Sequence, residues 1–273
     1  MKIHKSACAV LVLISACGAG VAAAADTSAA APTPRAADGH PDFNGVWDNG
    51  GGIDFLSPQK LADGSVCVTG CAPPAANAAA GPPSPRPPPD RPRYKPEFAA
   101  KVSDLEAKQV KFDPVLRCQP PGVPRIGPPD KIVQTAREMV FLYEDVSGPF
   151  FRIVPLVTGA VRQDDSPSYL GDASGHWDGD TLVVETANFN DLTWLADNGA
   201  FHTEALRVTE RLTRRGNEME YRAVVQDPGV LAEPWQMRPR RMTLMDKEMA
   251  EPAPCVDQDL HLMLDDSHHT NPR

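Results

Sequence analysis

The apolar positions from residue 131 onward fall in short runs rich in Val, Ile and Phe, and tight-turn residues separate these runs. Short runs of this kind predict β-strands. The chain shows no strand–helix–strand alternation, so the pattern favours a mainly β fold. It predicts a single antiparallel β-barrel or a sandwich with one short helix. The predicted strands cover residues 43–47, 131–134, 138–144, 150–156, 175–177, 181–186, 206–213, 218–226 and 235–245.

The predicted short helix covers residues 97–109. Pro96 stands at its first position and Glu97 lies in its first turn, where an acid is favourable. Phe98, Val102 and Leu105 have helical spacing and share one face. We therefore expect this helix to pack against the barrel or sheet.

The N-terminal residues 1–25 have a basic start, an apolar run and then small residues, which is typical of an export signal. Two cleavage sites fit. Residues 14–17 (ISAC) resemble a bacterial lipobox, in which Cys17 would carry lipid, whereas the alanines ending at Ala25 fit ordinary signal peptidase. Either site predicts a periplasmic or cell-envelope protein, with contact to a membrane only through the lipid on Cys17.

The rest of the chain divides by composition. Residues 26–40 predict a flexible spacer, and residues 41–255 predict the β-barrel domain. Within that domain, residues 72–96 are rich in proline and cannot form a sheet ladder, so they predict an exposed excursion. Residues 256–273 predict a tail.

The charge of the chain disfavours nucleic acid as a partner. The net charge is −9, and removal of residues 1–25 takes away Lys2 and Lys5, leaving 25 basic and 36 acidic side chains, a net charge of −11. Such a chain repels phosphate backbones. No dinucleotide fingerprint or phosphate-binding loop occurs in the sequence, so we expect no cofactor and a small molecule as the partner.

Four cysteines follow the signal: Cys67, Cys71, Cys118 and Cys255. In an oxidising compartment an even number predicts disulfides, and four cysteines allow three pairings. We favour Cys67–Cys71 as a local loop and Cys118–Cys255 as a long-range link. A metal site is less favoured because no histidine lies near the first pair in sequence.

Glu210 is the candidate for buried chemistry. Leu206, Val208 and Leu212 are the apolar positions of its strand, and Glu210 takes the missing inward position. A carboxylate among aliphatic side chains needs a partner, which would be Arg152 or Arg222. Glu210 therefore predicts either a catalytic group with a raised pKa or a structural ion pair.

The segment from Tyr169 to His202 carries the other candidates. The Asp178-Gly179 dipeptide with Asp180 predicts a hairpin turn, since the further oxygen ligands of a calcium loop are missing. His202 is the candidate proton shuttle, because histidine titrates near neutral pH. The predicted catalytic residues are His202, Asp191, Asp197 and Glu210, and the predicted binding residues are Tyr169, His176, Asn188, Asn190 and Trp194.

Two stretches resemble known proteins. The run GHWDGDTLVVET (175–186) with FND (189–191) and TW (193–194) resembles a largely uncharacterised family of exported bacterial β-rich proteins, as do RCQPPGVPR (117–125) and LRVTER (206–211). This resemblance covers residues 41–255 and implies export and one β-rich domain. The chain lacks a His-Pro pair of that family near residues 162–165 and its Glu-Gly-Asn after Cys255.

The tripeptide Gly45-Val46-Trp47 resembles the G-x-W of lipocalin-type barrels, in which the tryptophan plugs one barrel end. The sequence thus supports two hypotheses. In the first, the protein is an acid–base enzyme (a lyase, isomerase or hydrolase) acting on a small organic molecule of aromatic or terpenoid type. In the second, it is a ligand-binding or envelope-structural lipoprotein without turnover.

Overall fold

The computed structural model describes residues 32–48, 59–60, 66–67, 90–156, 166–197, 199–251 and 255. The predicted signal segment 1–25, the tail 256–273 and residues 72–89 of the proline-rich excursion lie outside these ranges. So does Cys71, and with it the predicted Cys67–Cys71 disulfide. No helix in the described ranges is long and apolar enough to cross a membrane.

The protein is mainly β, as the sequence predicts. Two short helices, α1 (Ala99–Ala107) and α2 (Gln109–Phe112), precede most of the strands, and 3-10 turns cover Pro96–Phe98 and Pro114–Arg117. The strands are β1 Gly45–Asp48, β2 Gln59–Lys60, β3 Val66–Cys67, β4 Lys131–Gln134, β5 Glu138–Asp145, β6 Gly148–Pro155, β7 Asp172–Asp178, β8 Thr181–Ala187, β9 Arg207–Arg215, β10 Glu218–Gln226, β11 Trp235–Gln236 and β12 Arg240–Met245.

Nine strands form one antiparallel sheet that is nearly closed into a barrel, with the order β6-β5-β4-β1-β12-β10-β9-β8-β7. Strand β11 pairs with β10, and β2 pairs with β3 in a separate small sheet. The first and last strands meet at a seam, where Leu156 forms a parallel bridge with Gly175. A side chain at Gly175 would crowd Val154 and Leu156, each 3.0 Å from an added Cβ.

The strand directions give the barrel two different ends. At the end that we call the closed end lie the short turns 135–137, 179–180 and 216–217. At the opposite end, the open end, lie the turn 146–147 and the long connections 188–206 and 227–239. Long connections at one end of a barrel are a common place for binding residues.

Trp47 and the residues around it fill the closed end. The Trp47 side chain is 1% exposed, and its Nε1 donates a hydrogen bond to the Phe43 carbonyl at 2.9 Å. The Arg214 guanidinium lies 5.2 Å from the indole ring and donates to the Asp42 carbonyl. Trp47 is thus part of the buried core at this end of the barrel.

Residues 32–44 cross the closed end from outside, and we call them the N-terminal strap. Arg35 donates two hydrogen bonds to Asp180, at 2.5 and 2.7 Å. The Gly216 amide donates to Thr33 Oγ1 at 2.9 Å, and His40 stacks on Trp177 with ring centres 4.4 Å apart. The strap therefore includes the last residues of the predicted spacer, which join the fold through these contacts.

Two predicted elements are shorter in the structure. The helix predicted over 97–109 is divided into a 3-10 turn, α1 and α2, and α1 packs over Gly199, where an added Cβ would lie 2.7 Å from Leu105. The strand predicted over 235–245 is divided into β11 and β12. Pro239 stands in the gap and has no amide to donate to a ladder, which explains the interruption.

Candidate functional site

Glu210 points into the barrel, as its strand pattern predicts, and is 0% exposed. Its partner is Arg152 on β6, which donates to both carboxylate oxygens at 3.0 and 2.6 Å. Arg222, the other partner considered, is exposed and pairs with Glu220. A paired geometry of this kind offsets part of the cost of burying two charges.

The Arg152–Glu210 pair is part of a larger buried network. The Tyr221 hydroxyl donates to Glu210 at 3.0 Å, and Arg152 donates to the Tyr143 hydroxyl at 3.2 Å and to Thr186 Oγ1 at 2.8 Å. Burial, with the charge of Glu210, raises the pKa of both tyrosines. Both phenols therefore stay protonated at neutral pH and act as hydrogen-bonding groups.

The barrel interior is packed with side chains around this network. Within the described ranges, Arg152 Nε is the one atom of the pair that lacks a hydrogen-bond partner. Because Glu210 has no exposed surface, a ligand cannot reach it without displacing the core. The geometry therefore favours the structural ion pair over a catalytic role for Glu210.

His202, the predicted proton shuttle, is buried between two threonines. Its Nε2 lies 2.7 Å from Thr193 Oγ1, and its Nδ1 lies 3.0 Å from the Thr203 carbonyl. Burial lowers the pKa of His202, although the charges of Asp227 and Asp191 act in the opposite direction. The neutral ring thus donates through Nδ1 and accepts through Nε2, and both of its nitrogens are used inside the fold.

The two aspartates predicted to act with His202 do not hydrogen-bond to it. Asp191 is exposed, and Asp197 is also exposed and accepts a hydrogen bond from Arg125 at 3.0 Å. Asn190, predicted to bind ligand, accepts from the Leu192 amide at 3.1 Å and so caps a turn. The structure does not bring these residues together around His202.

The remaining predicted binding residues are also spread apart. His176 is exposed on the outer face of β7, and Tyr169 is half-buried. Asn188 has a positive φ of 60° and donates to Asp172 at 2.8 Å, which fixes the start of the 188–206 connection. Trp194 is buried beneath Arg125, whose guanidinium lies 5.7 Å from the indole ring. Of all the predicted site residues, Asp197 alone reaches the cleft described next.

A cleft of about 830 Å³ lies at the open end, between the ends of β1 and β5 and the segments packed over them. Its size suits a small organic molecule. Its apolar wall includes two tryptophans, two methionines and several aliphatic side chains. The lining residues are Val46, Trp47, Asp48, Asp90, Arg91, Val115, Pro121, Arg125, Ile126, Asp130, Glu144, Asp145, Val146, Leu195, Ala196, Asp197, Trp235, Met237, Arg240, Lys247, Glu248, Met249 and Ala250.

Asp130 is the carboxyl group of this cleft that burial perturbs most. It immediately precedes β4, and its Oδ2 accepts a hydrogen bond from the Glu144 amide at 2.7 Å. Burial, assisted by the charges of Glu144 and Asp145, raises the pKa of Asp130 to about 6, against the opposing effect of that hydrogen bond. Apart from its own backbone amide, no other group of the described chain donates a hydrogen bond to this carboxyl, so it has no side-chain partner there.

Covalent and ionic links hold the segments over the cleft in place. Arg125 makes two hydrogen bonds to buried Asp113, at 2.7 and 2.8 Å. The predicted Cys118–Cys255 disulfide is present and links the segment before β4 to the residues after β12. Asp90, where the described chain resumes, accepts hydrogen bonds from Trp235 Nε1 and the Arg238 amide.

Asp130 and the cleft were not among the residues that the sequence pointed to. Asp130 follows Pro128 and Pro129 in a segment without periodicity, and its neighbours in the cleft come from distant parts of the chain. One signal was present: Asp130 directly precedes an apolar strand, and the period-two alternation places it on the same face as the buried Ile132.

Comparison with known proteins identifies no relative. No family model, curated protein or solved structure matches this chain. Among the described residues, no group of three or more His, Cys, Asp or Glu side chains is arranged to hold a metal ion.

Proposed function

We propose that the protein is an exported barrel that binds a small organic molecule in the open-end cleft. The observation that carries the proposal is the cleft itself, whose lining includes the Trp235 and Met237 side chains and the half-buried Asp130 carboxyl. An apolar wall with few polar groups is the usual character of a ligand site. Export is proposed from the signal-like residues 1–25.

The test is to fill the cleft. Ala196→Trp places an indole against the cleft wall and should abolish binding of any ligand found by screening the purified protein against aromatic and terpenoid compounds. Ala100→Trp, on the exposed side of α1, is the matched control and should leave binding unchanged. A ligand that binds the Ala196→Trp variant as tightly as the native protein would place its site elsewhere and refute the proposal.

Acid–base catalysis in the same cleft is a second candidate, and the pKa of Asp130, raised to about 6, favours it. A carboxyl that titrates near neutral pH is suited to exchange protons with a bound molecule, as a lyase, isomerase or hydrolase requires. Conversion of a bound ligand should then depend on Asp130 and persist in His202→Ala. Conversion lost in His202→Ala, with the fold intact, would return the role to the buried histidine.

A further inference from the structure

We infer that the ligand of the open-end cleft is a primary or secondary amine with an aromatic or otherwise apolar body, whose ammonium group binds the Asp130 carboxylate. This inference rests on the proposed function and adds the chemical class of the ligand. It is carried by the charges that line the cleft, by the Asp130 carboxyl without a side-chain partner in the described chain, and by the apolar residues of the same lining.

Carboxylates outnumber cations around the cleft. Seven acidic side chains line it against four basic ones, a net formal charge of −3. Two of the basic groups are engaged in the described ion pairs: Arg125 with Asp113 and Asp197, and Arg91 with Glu106. Two of the lining acids are engaged as well, Asp197 with Arg125 and Glu248 with Lys131, so five acids and two cations of the lining remain outside these pairs, again a net formal charge of −3. The whole chain is also negative. The potential in the cleft therefore attracts a cationic ligand and repels an anionic one.

The remaining two cations stand at the margin of the cleft. Arg240 and Lys247 are exposed, and an added Cβ at Gly127 would lie 2.9 Å from Arg240 Nη1, so this guanidinium packs over the Gly127 backbone. Exposed charges are screened by water and salt.

The groups that face Asp130 from its own side of the cleft are acidic. Glu144 and Asp145, at the end of β5, raise its pKa through their charges, and burial raises it further. An ammonium group hydrogen-bonded to the Asp130 carboxylate would offset both effects, since it supplies the counter-charge that this carboxylate lacks. Hydrogen bonds between charged groups of this kind are the strong ones.

The apolar wall of the cleft indicates the chemistry of the part of the ligand that is not charged. Trp235 is 8% exposed, and its indole is fixed by the hydrogen bond from Nε1 to Asp90 at 3.1 Å. Met237 and Leu195 extend the same wall. A fixed indole and a thioether bind flat aromatic bodies well, so an arylalkylamine matches both halves of the cleft.

Three indoles of similar size and different charge provide the test: tryptamine, tryptophol and indole-3-propionate. Calorimetry on the full-length protein at pH 7 should show tryptamine binding about tenfold more tightly than tryptophol, and indole-3-propionate most weakly. Asp130→Asn should remove about tenfold of tryptamine affinity and leave tryptophol nearly unchanged. Glu185→Gln, an exposed acid on β8 that does not line the cleft, is the control and should leave tryptamine affinity unchanged.

The pH dependence gives a second readout. Asp130 must be ionised to bind the ammonium, and its pKa is raised to about 6, so tryptamine affinity should fall about tenfold from pH 7 to pH 5. Asp130→Asn should abolish most of this fall, and tryptophol should not show it.

The outcomes separate the two proposals. Equal affinity for tryptamine and tryptophol, or tighter binding of the propionate, would overturn the amine inference while the cleft remains a binding site. The amine inference would also be overturned if none of the three indoles binds while neutral library compounds do bind and Ala196→Trp blocks them. Absence of any ligand sensitive to Ala196→Trp would overturn both proposals.

Discussion

The two ends of the barrel are built differently. At the closed end, the contiguous N-terminal strap crosses short turns, and its own Phe43 side chain is fully buried together with that of Trp47. At the open end, the covering segments come from distant parts of the chain, and they leave a cleft lined by charged groups. One end completes the core, whereas the other keeps the Asp130 carboxyl partly desolvated, with no cationic partner among the described residues.

The closed end therefore contributes mainly to stability, whereas the proposed ligand site lies at the open end. Burial of apolar side chains at the closed end stabilises the fold. Asp130 at the open end has the opposite effect, because a carboxylate held in a poorly hydrated place destabilises the folded state at neutral pH. Substitutions at the closed end should therefore change mainly the free energy of unfolding, whereas substitutions at the open end should also change ligand binding.

Exchanging one buried aromatic side chain at each end should give the largest contrast. Phe43→Ala removes a fully buried ring that does not line the cleft, and should lower the free energy of unfolding by about 3–5 kcal/mol while the folded molecules still bind ligand. Trp235→Ala removes an indole that is 8% exposed, together with its hydrogen bond to Asp90; it should cost about 3 kcal/mol and should also abolish ligand binding. Urea denaturation and calorimetry measure the two effects, and equal loss of ligand binding in both variants would contradict the contrast.

The buried Arg152–Glu210 ion pair should affect the stability of both ends together, because its hydrogen-bond network joins β5, β6, β8, β9 and β10. Glu210→Gln keeps the size of the side chain but leaves Arg152 without its counter-charge, which should destabilise the protein by about 3 kcal/mol. Glu185→Gln, on the exposed face of β8, is the control and should change stability little. A Glu210→Gln protein as stable as the native one in urea would show that the pair is not needed for folding.

The Asp130 pKa predicts a stabilising substitution at the open end. Folding raises the pKa of Asp130 to about 6, so the folded state favours the neutral carboxyl. The stability that this protonation contributes is complete below the unfolded pKa of about 4, and it is lost as the pH rises through 6. Asp130→Asn should therefore increase the free energy of unfolding, relative to the native protein, by about 1 kcal/mol more at pH 8 than at pH 4. This value allows for the partial exposure of Asp130. Thermal unfolding at both pH values measures this, and a pH-independent difference would disprove it.

The smallest effect should come from the outer surface of the closed end. Arg35 and Asp180 form an exposed ion pair, and water and salt screen such pairs. Arg35→Ala should therefore leave the thermal midpoint unchanged at physiological salt. A clear loss of stability would mean that the strap is held by this pair and not by the buried contacts of Phe43.

The sequence predicted the barrel well because alternation and turn chemistry are local signals. The Asp178-Gly179 turn, the hairpin near Gly216 and the inward position of Glu210 could each be read from a few neighbouring residues. The split between β11 and β12 could also have been expected, since Pro239 interrupts the run. The strap was harder to predict because its contacts are with turns far along the chain.

The candidate site could not be predicted from the sequence in the same way. His202 and Asn190 are residue types that often serve chemistry, yet here both use their polar atoms inside the fold. Asp130 became notable only when tertiary structure withdrew water from it and placed Glu144 and Asp145 beside it. Desolvation is a property of the assembled cleft, and no local pattern encodes it.

The seam between β6 and β7 follows from the number of strands. In a ring of alternating directions, nine is an odd number, so the two strands that meet must run the same way. In the described part of the chain, only Leu156 and Gly175 bridge them there. The side chain of Arg152 crosses this line from β6 to reach Thr186 on β8 and Glu210 on β9. The Arg152–Glu210 pair thus links the two sides of the seam through side chains. Amide protons along the seam should exchange with solvent before those of the nine-residue ladder between β9 and β10.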